Sequence, residues 1–360
     1  MSVAQAGAIG HANVRAGSLE ELREPWSTLA LETRNVFSTW EWASTWWSRY
    51  GEGRRLAVAA SYTPDGSIEA IVPLYEWSGR PVRIGRFVGH GPADQLGVVC
   101  APTEIELSAS ALRRAAALAR MDVTFAELLP SSAGWAGALG TRPLVREASP
   151  TVGLGRGWHG FLADRSANFR QQLRRRERRL AENYSVRYRL ASDRDRLEED
   201  FSTFVALHRA RWGNSSAFSR WEGFMREFTR LALERGWLRL WFLELAGVAV
   251  AAWLGFRFAG IESYYQAGRD PSRSDESVGF LLLAHTIREA AGDGMAEYRL
   301  LRGGEAFKAR FADADPGVES HALVSSLRGH IVRALAMPLL RTPALASFVH
   351  QVTSRGQDRG

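Results

Sequence analysis

Apolar residues along the chain follow two periods, and the order in which those periods alternate occurs twice. Residues 56–62 and 67–77 are β-rich runs, and Thr63-Pro64-Asp65-Gly66 between them has turn chemistry, so a hairpin is predicted there. A strand at 81–88, a Gly-rich loop at 89–97, a helix around 103–120 and a strand at 123–129 follow. The second half repeats the order: a strand at 237–245, the turn Ala246-Gly247, strands at 248–258 and 261–266, a loop at 267–277, a helix at 278–291 and a strand at 296–301. Helices with Trp and Leu at helical spacing precede each half, around 40–49 and 194–236. Sequence identity between the halves is slight, so the duplication rests on element order. The stretch 149–164, rich in Gly and Pro and weak in periodicity, reads as the boundary. Domains are therefore expected at 1–150 and 151–326. The remainder, 327–360, includes an amphipathic tail at 327–352, broken by Pro338 and Pro343 and expected to pack back as short helices.

Length agrees, since 360 residues suit two cores better than one. With 46% hydrophobic and 24% charged residues the composition is that of a folded globular protein. The longest apolar runs, 248–254 and 278–284, fall well short of the roughly 20 residues a membrane-spanning helix needs. Residues 1–10 have neither the basic start nor the apolar block of a signal peptide, and Cys100 has no second cysteine to pair with, so a reducing cytoplasm is the expected setting. The net charge of +7 rests on arginine, because Lys308 is the sole lysine. Arginine-rich coding explains that balance, and so does attraction to an anionic partner such as a nucleotide cofactor, a nucleic acid or a lipid surface. Metal binding has no support, because the eight histidines are scattered and Cys100 is alone. Neither a phosphate-binding Walker loop nor a dinucleotide glycine fingerprint is present.

The run Ser277-Val278-Gly279-Phe280-Leu281-Leu282, together with Glu297-Tyr298-Arg299-Leu300-Leu301-Arg302-Gly303-Gly304-Glu305-Ala306-Phe307-Lys308, resembles the end of the CelD/BcsL-type GNAT acetyltransferase family. That family is similar to the Fem-type peptidyltransferases. The resemblance extends more loosely over about residues 25–325. It takes in Phe37-Ser38-Thr39-Trp40-Glu41-Trp42, Ile71-Val72-Pro73-Leu74, Asp94 in its Gly-rich loop and the helix with Arg170, Arg174 and Arg178. It implies an α/β (α+β) chain of two tandem GNAT-like domains, each a mixed, mostly antiparallel sheet flanked by helices. The activity it implies is acyl transfer from acetyl-CoA or another acyl-CoA, without a metal, to an amine or hydroxyl of a sugar or small metabolite. Cell-envelope or polysaccharide precursors are the implied acceptors. Arg299 stands where the family usually has an acidic residue.

The residue chemistry refines that picture. A helix N-terminus with free N–H groups suits the pyrophosphate of an acyl-CoA, which makes Ser277, Val278, Gly279, Phe280 and Arg273 the candidate donor contacts. Asp275 and Glu276 would repel a pyrophosphate unless they point away or pair with Arg269 and Arg273. Transfer to an amine needs a base, for which Glu262 and Glu297 are candidates where the strands diverge. Tyr264 and Tyr265 alternate across the sheet, so one faces the cleft; Tyr265 is the candidate proton donor to the leaving thiolate and Tyr264 a substrate contact. Lys308 lies three residues after Glu305, near Arg302, and could bind an acidic group or stabilise developing charge. His208 is a further acid–base candidate. Asp94, Arg170, Arg174, Arg302 and Glu305 complete the acceptor-site candidates, the arginines at i, i+4 spacing suiting phosphate or carboxylate. Two other readings stay open: an aminoacyl-tRNA-dependent Fem-type transferase in which the basic helix holds RNA, and a non-catalytic binding protein favoured by Arg299 and the Asp275–Glu276 pair.

Overall fold

The computed structural model describes residues 13–213, 216–331 and 334. The first half runs β1 (Asn13–Ala16), α1 (Arg23–Thr33), α2 (Trp40–Tyr50), β2 (Arg55–Tyr62), β3 (Ile68–Ser78), β4 (Ile84–Phe87), α3 (Ile105–Leu118), β5 (Val123–Pro130), α4 (Trp135–Ala138) and β6 (Val145–Glu147). The second runs β7 (Thr151–Gly153), α5 (Gly157–Ala163), α6 (Ala167–Asn183), β8 (Val186–Leu190), α7 (Leu197–Trp212), α8 (Glu222–Glu234), β9 (Leu238–Leu245), β10 (Val248–Phe258), β11 (Ile261–Arg269), α9 (Val278–Gly292), β12 (Glu297–Arg299), α10 (Ala306–Ala309) and β13 (Val318–Val324). Most of the predicted tail at 327–352 lies outside the described residues.

Among the described residues the strands form two sheets, ordered β1-β2-β3-β4-β5-β13-β6 and β7-β12-β11-β10-β9-β8. Both are mostly antiparallel. In each, one parallel pair breaks the pattern: β4 with β5 across α3, and β11 with β12 across α9. The hairpin β2–β3 matches β9–β10, so the twofold order of elements is present in the pairing itself. The turn between β2 and β3 closes with Thr63 N–H donating to the Ser67 carbonyl at 2.9 Å. Between β9 and β10, Ala246 and Gly247 both have positive φ, 49° and 83°, as a two-residue hairpin requires.

One strand crosses between the halves. β13, at the end of the expected 151–326 segment, inserts between β5 and β6 of the first sheet. Its Val318, Ala322 and Val324 lie opposite residues of β5, so the chain returns to its starting sheet before the tail. The short β7, within the stretch read as a linker, pairs with β12 instead.

Two apolar cores result. One lies under α5, α6 and α9 against one face of the second sheet, with Phe161, Phe169, Leu281, Ile287 and Tyr298 buried in it. The other is shared by the halves: Trp42 from α2 meets Phe37 (4.8 Å), Phe224 (4.8 Å) and Phe228 (4.7 Å) edge-on. Such aromatic packing fixes the two sheets relative to each other. The Gly-rich loop after β4 lies in this seam, where Gly91 has φ +103° and any Cβ would come within 2.4 Å of the Trp221 ring. No helix of the described residues is long and apolar enough to cross a membrane.

Candidate functional site

The parallel pair in the second sheet is short. β11 pairs with β12 only through Ile261–Glu297, Glu262–Tyr298 and Ser263–Arg299. Beyond that point the chain after β12 bonds elsewhere, Leu300 N–H to the Pro150 carbonyl and Gly303 N–H to the Ala148 carbonyl, both at 2.9 Å. Strand β11 therefore continues from Tyr264 to Arg269 with one side open. On its other side the ladder with β10 shifts register between Leu254–Gln266 and Gly255–Tyr264, leaving Tyr265 as the extra residue of a bulge.

A cavity of about 320 Å³ opens beside this unpaired stretch, at the N-terminus of α9. Ser277, Val278, Gly279, Phe280 and Arg273 all line it, as expected for donor contacts, and so does Tyr264. Its floor is apolar: Trp253, Phe307, Leu282 and Phe311. Five arginines stand around it, Arg176, Arg211, Arg269, Arg273 and Arg310, and no lining residue among those described is a carboxylate. Ser277 occupies the cap position with φ +56° and makes no side-chain cap bond, which leaves the first N–H groups of this 15-residue helix without that partner. Trp253, 1% exposed, has an indole N–H with no acceptor. Donors thus face the cavity with few acceptors among them, an environment suited to a polyanion.

Neither Asp275 nor Glu276 lines the cavity. Glu276 accepts from the Tyr184 hydroxyl at 3.1 Å and lies 3.5 Å from Arg273 Nη1. Burial pushes its pKa up, but a backbone hydrogen bond, Tyr184 and Arg273 together hold it below the ordinary value.

At the inner end, burial pushes the pKa of the Tyr264 hydroxyl up to about 12, with the Arg211 charge opposing it. Lys308 Nζ lies 6.0 Å from the Tyr264 ring and is almost fully buried. It donates to the Arg302 carbonyl (2.7 Å), to Glu305 (3.0 Å) and more distantly to the Leu301 carbonyl (3.5 Å). With those acceptors taken, Lys308 is a fixed positive charge that anchors the loop after β12. Arg302, on that loop, reaches across the seam to Asp94 (3.5 Å) and Glu147 (3.8 Å) of the first half. Asp94 is buried, and burial, opposed by Arg302 and Lys308, raises its pKa. His90, close by on the same Gly-rich loop, is held neutral by burial, its pKa lowered to about 4.

Several expected site residues have other employment. Glu262 is fully buried in an ion pair with Arg257 (2.6 Å) and a longer one with Arg239 (3.8 Å), away from the cavity lining; Arg257 also binds Asp293, just past the far end of α9. Glu297 pairs with Arg299 at 3.2 Å, and Arg299 donates to the Arg34 carbonyl. Tyr265 turns away from the cavity into the shared core, so Tyr264 holds the position expected of it. Arg170 caps α5 through the Leu162 and Arg165 carbonyls, while Arg174 donates to the Arg170 carbonyl and Arg178 pairs with Glu182 on the surface. His208 is buried against Phe204 and Phe218 with Nε2 3.3 Å from Gln266. Among the described residues the one ion pair of Glu305 is with Lys308.

The arginine of the basic helix that does reach the cavity is Arg176. The buried residues of α6 are Phe169, Leu173 and Leu180, and Arg176 falls on the same stripe, three residues beyond Leu173 and four before Leu180. That spacing was a usable signal. Arg211 and Arg310 carried none, since each reaches the cavity through tertiary placement of a helix end. Among the described residues no group of histidine, cysteine or acidic side chains is arranged to hold a metal.

Residues 167–309 match the family model described as acetyltransferase (GNAT) domain. This stretch contains α6, the diverging strands and the cavity lining except Arg310 and Phe311, and it makes the chain an acyltransferase. Among solved structures the chain is similar in fold to FemX, at 12% identity over 90% of this chain and 99% of that one, with a TM-score of 0.64. It is likewise similar to the C-terminal domain of a putative lysylphosphatidylglycerol synthetase from Agrobacterium fabrum, at 12% identity over 90% and 97%, TM-score 0.54. A conserved protein of unknown function from Bacteroides thetaiotaomicron aligns at 15% identity over 88% and 100%, TM-score 0.52. No curated protein sequence matches the chain.

Proposed function

We propose that the protein is an acyl-CoA-dependent N-acyltransferase, with the donor in the cavity at the start of α9 and the acceptor entering from the seam between the halves. The observation that carries this reading is the cavity lining: five arginines, no carboxylate and an uncapped helix N-terminus, joined to an apolar floor that ends at Tyr264. A diphosphate suits the first part and an acyl-pantetheine arm the second. The division into a donor-binding half and an acceptor-supplying half belongs to this reading, as do a cytoplasmic setting and, through the CelD/BcsL resemblance, acceptors drawn from cell-envelope or polysaccharide precursors.

In the reaction, the amine nitrogen attacks the thioester carbonyl carbon and the carbon–sulfur bond breaks. An ammonium acceptor must first lose one proton, and the neutral amine loses a second as the amide forms. Asp94 is the candidate for the first proton: burial raises its pKa, and it stands on the acceptor side beside Arg302. The second goes to the departing thiolate. Tyr264 stays protonated and donates a hydrogen bond to that sulfur, while Lys308 supplies a buried positive charge beside the developing oxyanion. Arg302 holds an anionic group of the acceptor.

A second reading, transfer from an aminoacyl-tRNA, is favoured by the exposed arginines Arg174, Arg175, Arg178 and Arg179 on α6, close to a cavity already rich in cations. Calorimetric titration with acetyl-CoA and longer acyl-CoAs, alongside Gly279→Trp, decides between them. Micromolar binding that the variant loses supports the acyl-CoA donor. No binding to any thioester, with salt-sensitive tRNA binding lost on reversing Arg175 and Arg179, overturns it.

A further inference from the structure

We propose that Arg176 and Arg310 form a second anion subsite, which holds the 3′-phosphate of a coenzyme A donor and makes that phosphate a condition of tight binding. The inference rests on the acyl-CoA reading and concerns a part of the donor that the reaction itself does not use.

Arg176 comes from α6 and Arg310 from the residue after α10, so two distant segments bring the pair together. Their guanidinium carbons lie 4.8 and 4.9 Å from the centroid of one ring, that of Phe280. Neither has a carboxylate partner among the described residues. Arg310 bonds the neutral Gln172 Oε1 at 2.9 Å, and Arg176 makes no hydrogen bond or ion pair with another described residue. Most arginines of this protein that are half-buried or less exposed do otherwise: Arg86, Arg165, Arg189 and Arg257 each hold an acid. Burial, then Arg310 and Arg175, lower the Arg176 pKa, as expected when like charges converge with nothing between them. A dianionic phosphate removes that repulsion and accepts hydrogen bonds from both guanidinium forks.

The place is right for a phosphate close to, and separate from, the diphosphate. Phe280 is the third residue of α9, next to Gly279 in the helix turn that faces the diphosphate, and in coenzyme A the 3′-phosphate sits on the ribose that carries the 5′-diphosphate. Arg310 also lines a smaller adjoining cavity of about 200 Å³ at the start of α6. There Arg165, 8% exposed at its side chain, has an Nε without a partner, and Asp164 is engaged by Arg156. The donor-rich surface therefore continues past Arg310.

The test compares calorimetric affinities for coenzyme A and 3′-dephospho-coenzyme A in the intact protein, in Arg176→Gln and in Arg310→Gln. The expected result is that the intact protein prefers coenzyme A by at least about tenfold, and that each variant brings the ratio to within about twofold. Urea midpoints matching the parent's show that the variants are folded, and the ratio of the two affinities, not either affinity alone, is the readout. Equal affinities in the intact protein, or a preference that survives both substitutions, overturn the subsite. Failure of the intact protein to bind either nucleotide overturns the acyl-CoA reading instead, so the two failures are distinct.

Discussion

The Tyr265 hydroxyl donates to the Pro92 carbonyl at 2.7 Å, a buried hydrogen bond from the bulge of β11 in the second sheet to the Gly-rich loop of the first. The bulge gives Tyr265 to the seam and leaves Tyr264 to the cavity, so neighbouring tyrosines serve different ends. Tyr265→Phe strands the carbonyl and should lower stability by about 1–3 kcal/mol. Tyr264→Phe should leave stability nearly unchanged and reduce turnover with the acyl donor. Urea unfolding and steady-state kinetics on both variants separate the roles; matching losses of turnover would place both hydroxyls in the chemistry.

Glu262 is held by two arginines and has an unpartnered Oε1. Burial raises its pKa against Arg257. A group in that position supports the sheet and does not reach an acceptor. Glu262→Ala should cost about 3–5 kcal/mol, because it leaves Arg257 and Arg239 buried with one fewer acid. Glu262→Gln should retain turnover within a fewfold of the parent. A loss of a hundredfold or more in a folded Gln variant would restore Glu262 as the base.

How much of this could be read from the residues alone depended on how local the cause was. The hairpins, α3, α9 and the strands around them were legible because period and turn chemistry act over a few residues, and the helix start at Val278 agreed with its expected bound. β13 was not: its partners lie some two hundred residues back, and nothing in Val318–Val324 states which sheet it joins. That Ser277 to Phe280 line one cavity followed from a helix N-terminus, a local feature. The acid–base candidates misled because a strand-end carboxylate looks the same whether free or paired, and Arg257, which neutralises Glu262, sits on the adjacent strand. On α6 the chosen arginines were those with the most regular spacing, whereas the apolar stripe selected Arg176.

Gly268 and Gly279 both line the cavity, and the space around each differs. A Cβ on Gly268 would lie 2.2 Å from His208 N and 2.4 Å from Leu207 C, both backbone atoms of α7. Gly268→Ala should therefore cost about 1–3 kcal/mol or more as α7 is pushed off the sheet. At Gly279 the nearest atom is Arg269 Cδ at 3.6 Å, ordinary contact distance. Gly279→Val should fold normally and weaken donor binding by filling the approach to α9. Thermal unfolding with donor titration reads both.

Asp94 should set the acid limb of the pH–rate profile. As a base it must be ionised, and burial raises its pKa, so turnover should fall on acidification at a pH above the ordinary aspartate range. Asp94→Asn should lose about 10²–10⁴-fold in turnover and with it that limb. An unchanged limb in the variant would assign the titration to another group.

His208 supplies a stability test with a defined sign. Burial holds its folded-state pKa at about 4, below the ordinary value near 6.5, and its ring Nδ1 has no partner to accept a proton's charge. The unfolded chain takes up that proton as pH falls through about 6.5 and the folded chain does not until about 4, so the contribution is whole above the first value and lost toward the second. The loss is about 1.4 kcal/mol per pH unit, about 3 kcal/mol in all. Asp94 and Glu262, with raised values, act in the opposite direction, so the term is isolated by difference. The stability of the parent relative to His208→Gln, from urea midpoints between pH 7 and 4, should fall by that amount. A flat difference would mean that His208 is protonated in the folded protein, and its role would then be electrostatic instead of apolar packing between Phe204 and Phe218.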